Sequence, residues 1–211
     1  NGKLWLGTLI GLYLYDIGTD TPVKMDLKHS GPEKLTRILS LFMDKDKNLW
    51  IGAKESLSKY TITENNTLSD TAGYKFTNIV QTQCISQSKD GKIWIGTVDG
   101  LVCIDEQNAP GKFSHPEGFQ NSTIRGIEED RKGNLWISSD DGLYRYSPSS
   151  GRICRFGYDD GIRCSLFNAY AHAADTSGNM YFGGTFGIET FSPADISTNH
   201  MVKRPIIDNL I

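Results

Sequence analysis

The chain has 211 residues, of which 38% are hydrophobic and 22% charged, with 22 glycines. That is enough apolar content to bury a core, and the mixture excludes a disordered chain while suiting an all-β protein with many tight turns. Its 22 Lys and Arg against 25 Asp and Glu give a formal charge of -3, so it lacks the basic face that phosphate-backbone binding needs, and nucleic acid is not expected as a partner.

The chain opens on Asn1-Gly2-Lys3-Leu4-Trp5-Leu6-Gly7-Thr8, followed by Gly11-Leu12-Tyr13-Leu14-Tyr15-Asp16. Two short strands joined by a turn are expected there. The opening falls inside a phrase that later recurs, with no secretory leader before it, so a longer parent is expected. No apolar run approaches the roughly 20 residues of a membrane-spanning helix.

The phrase returns as Asp46-Lys47-Asn48-Leu49-Trp50-Ile51-Gly52-Ala53 and as Asp90-Gly91-Lys92-Ile93-Trp94-Ile95-Gly96-Thr97. It appears again as Lys132-Gly133-Asn134-Leu135-Trp136-Ile137-Ser138-Ser139, and more weakly as Ser177-Gly178-Asn179-Met180-Tyr181-Phe182-Gly183-Gly184. The aromatic falls at 5, 50, 94, 136 and 181, and all four tryptophans of the chain occupy this position. A Gly-Leu-x-x-Tyr strand follows in most copies, as at Gly100-Leu101 and Gly142-Leu143; the second copy carries Ser56 where the others have glycine, so a distorted turn is expected there.

Before each Trp strand lies an alternating segment such as Ile124-Arg125-Gly126-Ile127-Glu128-Glu129, the period of a strand with one buried face. A variable outer strand, for example Ile153 to Tyr158, completes the unit. Four antiparallel strands in about 42–45 residues make one β-propeller blade. Such a sheet exposes two faces, and stacking equivalent sheets around an axis buries both. The fold class is therefore all-β, with about five repeat units near 1–30, 31–75, 76–118, 119–160 and 161–198. The recurrent Trp reads as core.

Cys84, Cys103, Cys154 and Cys164 form no CxxC pair and have no His at ligand spacing, so no zinc site is expected. Half-buried free thiols are the favoured reading, with a Cys154–Cys164 disulfide open in an oxidising compartment. Asp44, Asp46, Asp90 and Asp130 sit at turns and read as caps rather than calcium ligands, and Asp140-Asp141-Gly142 and Asp159-Asp160-Gly161 are turn signatures. His29, His115, His172 and His200 all fall in expected loops, with no base-and-nucleophile pattern. Neither a catalytic residue nor a cofactor is expected.

Propellers bind with the loops of one rim and the mouth of the central channel. Two segments entering innermost strands are the candidates, Asn121 to Arg125 and Arg163 to His172. Arg125, Arg163, Asn168, Tyr170 and His172 supply donors and aromatic faces suited to sugar hydroxyls or to sulfated and carboxylated sugars. Loop capping by these residues is the alternative.

The phrase D-x-x-G-x-L-W-I-G-T-x-x-G-L-x-x-Y resembles the two-component regulator propeller repeat over essentially the whole chain. Phe167 to Ala171, Gly178 to Gly184 and Gly187 to Pro193 resemble that family's final blade. The tail Arg204-Pro205-Ile206-Ile207-Asp208-Asn209-Leu210-Ile211 resembles the first strand of a following β-sandwich, so 199–211 is expected to be linker and truncated sandwich strand. The resemblance implies the periplasmic sensor region of a hybrid histidine kinase and response regulator, in which propellers of about seven blades precede a membrane helix and cytoplasmic phosphorelay modules. It implies an oligosaccharide ligand, contact with the rest of the sensor ectodomain, a homodimeric and membrane-anchored parent, and no enzyme activity in this segment. Two other readings stand beside it: a propeller enzyme resembling the streptogramin lyases, and a structural spacer without its own ligand.

Overall fold

The computed structural model describes residues 2–25, 37–54, 56–76, 79, 81–105, 112–120, 122–164 and 166–196. The tail 199–211, His29, His200, Asn121 and Ser165 lie outside the described residues. The described residues form five antiparallel sheets in chain order. Blade 1 holds β1 (Lys3–Thr8), β2 (Gly11–Asp16) and β3 (Thr21–Lys24); blade 2 holds β4 (Ile38–Met43), β5 (Asn48–Ala53), β6 (Leu57–Ile62) and β7 (Leu68–Phe76). Blade 3 runs through β8 (Cys84–Gln87), β9 (Ile93–Thr97), β10 (Gly100–Ile104) and β11 (Phe113–Ser114). Blade 4 has β12 (Ile124–Glu129), β13 (Leu135–Ser139), β14 (Leu143–Ser147) and β15 (Arg152–Phe156). Blade 5 has β16 (Phe167–Ala174), β17 (Met180–Gly184) and β18 (Gly187–Phe191). This is the all-β propeller architecture that the repeat predicts.

In blades 2 to 5 the aromatic of the phrase is fixed by a residue six positions earlier. The indole N–H of Trp50 donates to Asp44 Oδ2 at 2.9 Å, that of Trp136 to Asp130 Oδ2 at 3.2 Å, and that of Trp94 to Ser88 Oγ at 3.0 Å. In blade 5 the hydroxyl of Tyr181 donates to Asp175 Oδ2 at 3.1 Å. The same carboxylates cap the turn between first and second strands: Asp130 Oδ1 accepts from the backbone N–H of Lys132 at 2.8 Å and of Asn134 at 2.9 Å. One buried acid thus closes a turn and satisfies a buried indole, which removes the cost of an orphaned donor.

Between blades the fit relies on missing side chains. The glycine two residues after the Trp receives a residue from the next blade: a Cβ on Gly7 would lie 2.5 Å from Ile38 Cγ2, and one on Gly96 would lie 2.6 Å from Ile124 Cγ2. Gly52 makes the same close approach to Thr82. Trp50 and Trp136 are fully buried, and Trp136 stacks on Phe156 of its own blade (centroids 5.3 Å apart) and meets Phe191 of blade 5 at 4.7 Å. Such pairs add to the area that each ring buries.

The turn at Ser56 keeps the closing bond of its counterparts, with Ala53 N–H donating to Ser56 O at 2.8 Å as Ser139 N–H donates to Gly142 O at 2.9 Å. All four cysteines are free thiols. Burial pushes the Cys84 thiol up to about 12 and the Cys103 thiol up to about 11, so neither offers a thiolate at neutral pH.

Candidate functional site

The innermost strands surround the propeller axis, with β4 beside β1 and β8, and β12 beside β8 and β16. Each enters from the rim that also carries the turns between second and third strands, so the start of each innermost strand lies at the mouth of the channel. There the strands bulge. In blade 2 the register shifts between Ile38 and Ser40, leaving Leu39 unpaired, and in blade 4 it shifts between Ile124 and Gly126, leaving Arg125 unpaired. A bulge of this kind re-aims side chains at a rim.

Blade 5 enlarges the device. From Phe167 to His172 the chain takes five residue steps while its partner takes two, from Phe182 to Gly184. The extra length presents Asn168 and Tyr170 to solvent, and Tyr170 holds a left-handed backbone with φ of 64°. A non-glycine residue rarely adopts that conformation, and such strain gathers at functional sites.

Leu39, Gln83, Arg125 and Tyr170 are one position in four successive blades, each eleven residues before its blade's Trp or Tyr. Beside them lies a cavity of about 370 Å³ lined by Gly7 of blade 1, Ile38 to Leu41 of blade 2, Cys84 and Ile85 of blade 3, and Tyr170 and His172 of blade 5. Its polar side chains are Ser40 of blade 2 and Tyr170 and His172 of blade 5.

The His172 ring crosses to blade 4. It lies over Gly126, where a Cβ would come within 2.5 Å of the ring, and its Nδ1 meets Glu128 Oε1 at 2.8 Å. The other three blades carry Leu41, Ile85 and Ile127 at the equivalent position. His172 is thus an oriented imidazole held between two blades. Burial raises the Tyr170 phenol above its ordinary value, so it is a neutral donor at the cavity edge.

The structure brings Tyr170 and His172 together in the cavity and sets Arg125 at the same level on the neighbouring blade. Arg163 and Asn168 are exposed, and neither they nor Arg125 line the cavity. Arg163 lies on the connection into β16, where the backbone N–H groups of Arg163 and Cys164 donate to Glu189 Oε1 at 2.6 and 2.7 Å. One expectation is corrected: Phe167 to His172 belong to strand β16 rather than a loop, because pairing with β17 spans the bulge, while Ile124 and Arg125 open β12 as their alternation predicts. Sequence reading passed over Glu128; its signal was a carboxylate on the inner strand preceding a histidine-bearing one.

Three segments, 33–55, 74–99 and 118–141, match the family model described as two component regulator propeller. Three of its repeats are thus of the two-component regulator propeller kind. It is 27% identical to the extracellular domain of a hybrid two-component system of B. thetaiotaomicron, with a TM-score of 0.74 over 92% of this chain and 26% of that one. A second extracellular domain from the same bacterium is 25% identical, with a TM-score of 0.71 over 90% of this chain and 26% of that one. Histidine kinase P4 of Formosa agariphila is 23% identical over 97% of this chain and 16% of its own length. This chain therefore spans a minor part of these relatives, and its repeats are of the kind found in sensor regions of two-component systems.

Proposed function

We propose that these blades form part of a ligand-sensing surface in the periplasmic region of a two-component regulator, and that the channel mouth around Tyr170 and His172 takes an oligosaccharide. The observation that carries this reading is the enlarged bulge of β16. It departs from the repeat where the repeat has no structural need to change, and it turns an aromatic ring and an oriented imidazole onto a cavity of sugar size. Tyr170 offers a face for a pyranose ring, His172 and the cavity wall offer polar partners, and Arg125, Asn168 and Arg163 lie on the surrounding rim. Blade 5 joins blade 4 through His172 and Glu128, so occupancy of the cavity bears on the packing between two blades. Signal then passes as a shift between arrangements of a homodimeric, membrane-anchored parent, driven by the ligand's different affinity for each, towards a kinase outside this chain.

The test is thermal unfolding of the protein against a panel of glycan-derived oligosaccharides. A ligand of the folded state raises the melting temperature with concentration, by an amount set by its dissociation constant. Tyr170→Ala together with His172→Ala should abolish the rise. A panel that leaves the melting temperature unmoved sinks the reading, and substrate turnover would point instead to the propeller-enzyme reading.

A further inference from the structure

Three other arginines end on the protein itself. Arg131 Nη2 donates to Thr176 O at 3.0 Å, Arg145 lies over the rings of Trp136 and Phe156, and Arg155 faces Asp141. Arg125 differs. Its Nε is buried without a hydrogen-bond partner, and its guanidinium reaches Gln83 Oε1 through Nη1 at a long 3.4 Å. No carboxylate among the described residues forms an ion pair with it, and Glu128, three residues along the same strand, is bonded to His172. A buried donor left unmatched is costly, and a cation held without its own counter-ion is poised for one from outside.

We propose that the ligand is an acidic oligosaccharide whose carboxylate or sulfate is held by Arg125; this rests on the sensing reading above. The planar guanidinium matches either anion through two parallel N–H bonds, and partial burial strengthens such bonds over those in water. Tyr170, at the same position one blade on, stacks on the sugar ring or donates its hydroxyl to the anion, remaining neutral because burial raises its phenol. The blades carrying Leu39 and Gln83 at this position add no charge, so Arg125 alone of the four selects for acid.

The experiment is calorimetric binding to the full-length protein of four probes: tetragalacturonate, its methyl-esterified form, a sulfated neocarratetraose that carries no carboxylate, and neutral cellotetraose. The expected result is binding of one or both acidic probes, the carboxylated and sulfated arms telling which anion is taken. Arg125→Gln should weaken that binding by about tenfold or more, with Arg125→Lys between. Should Arg125→Gln fail to fold, the free acid against its ester on the unaltered protein decides. Neutral probes binding as well as acidic ones, or Arg125→Gln leaving affinity unchanged, overturns the role of Arg125 while the sensing reading stands. No binding by any of the four overturns the acidic ligand, and an oligosaccharide panel without effect on unfolding overturns both.

Discussion

In blade 4 the Trp136 indole is fully buried, and it ends on Asp130, itself buried beneath the turn it caps. In blade 5 the same two positions hold Tyr181, half-buried, and Asp175, exposed, joined by the same kind of bond. Blade 4 bulges by one residue at its inner edge, whereas blade 5 bulges by three and turns Tyr170 into a left-handed conformation. The repeat is strict where a blade must bury its aromatic between neighbours, and it loosens in the blade that brings Tyr170 and His172 to the cavity. Departure from the repeat, rather than the repeat, is where the proposed ligand chemistry is concentrated.

The largest expected effect is on the aromatic itself. Trp136→Ala should cost about 3–5 kcal/mol in urea unfolding, since it empties a fully buried site packed against Phe156 and Phe191. Tyr181→Ala should cost a small part of that; equal losses would break the distinction between the two blades. Next comes the acid beneath it. Asp130→Ala orphans the Trp136 N–H and two turn amides and should cost about 1–3 kcal/mol, while Asp130→Ser, which copies Ser88 of blade 3, should recover part of the loss. Asp175→Ala should fall well below Asp130→Ala in the same assay.

The smallest effect is a titration. Hydrogen bonds from Asn179, chiefly from its side chain and backbone N–H, hold the Asp175 carboxyl below the usual carboxylate value. A lowered folded-state value means its contribution is fully present above the unfolded carboxyl's pKa and is lost as pH falls through the lower folded one. Carboxyl chemical shifts followed by NMR should place Asp175 below an ordinary aspartate, and Asn179→Ala should return it upward. An unmoved titration would show that the turn of blade 5 is not held by this bond.

The blades were legible in the sequence because the Trp spacing and the glycine-bearing turns reflect packing that each unit needs alike. Asp44 and Asp130 could be read as turn caps from the residues around them, but their reach to the indole depends on how the turn folds back over six residues. The candidate site was legible only in its residue types. Asn168, Ala169 and Tyr170 interrupt the alternation of a strand, so Phe167 to His172 read as loop, and only pairing with β17 reveals a strand with an enlarged bulge. The bond from His172 to Glu128 joins residues of two blades, a separation no local pattern encodes.

The close approach of Ile38 to Gly7, of Thr82 to Gly52 and of Ile124 to Gly96 gives each joint a socket on one blade and a plug on the next. Because plug and socket lie at fixed distances from the same Trp, a duplicated repeat arrives with both halves of a working joint. Lengthening such a chain by whole repeats needs no new interface. Blade 4 breaks the pattern with Ser138 in place of the socket glycine. Growth by duplication would therefore be tolerated at the earlier joints and resisted at the one between blades 4 and 5.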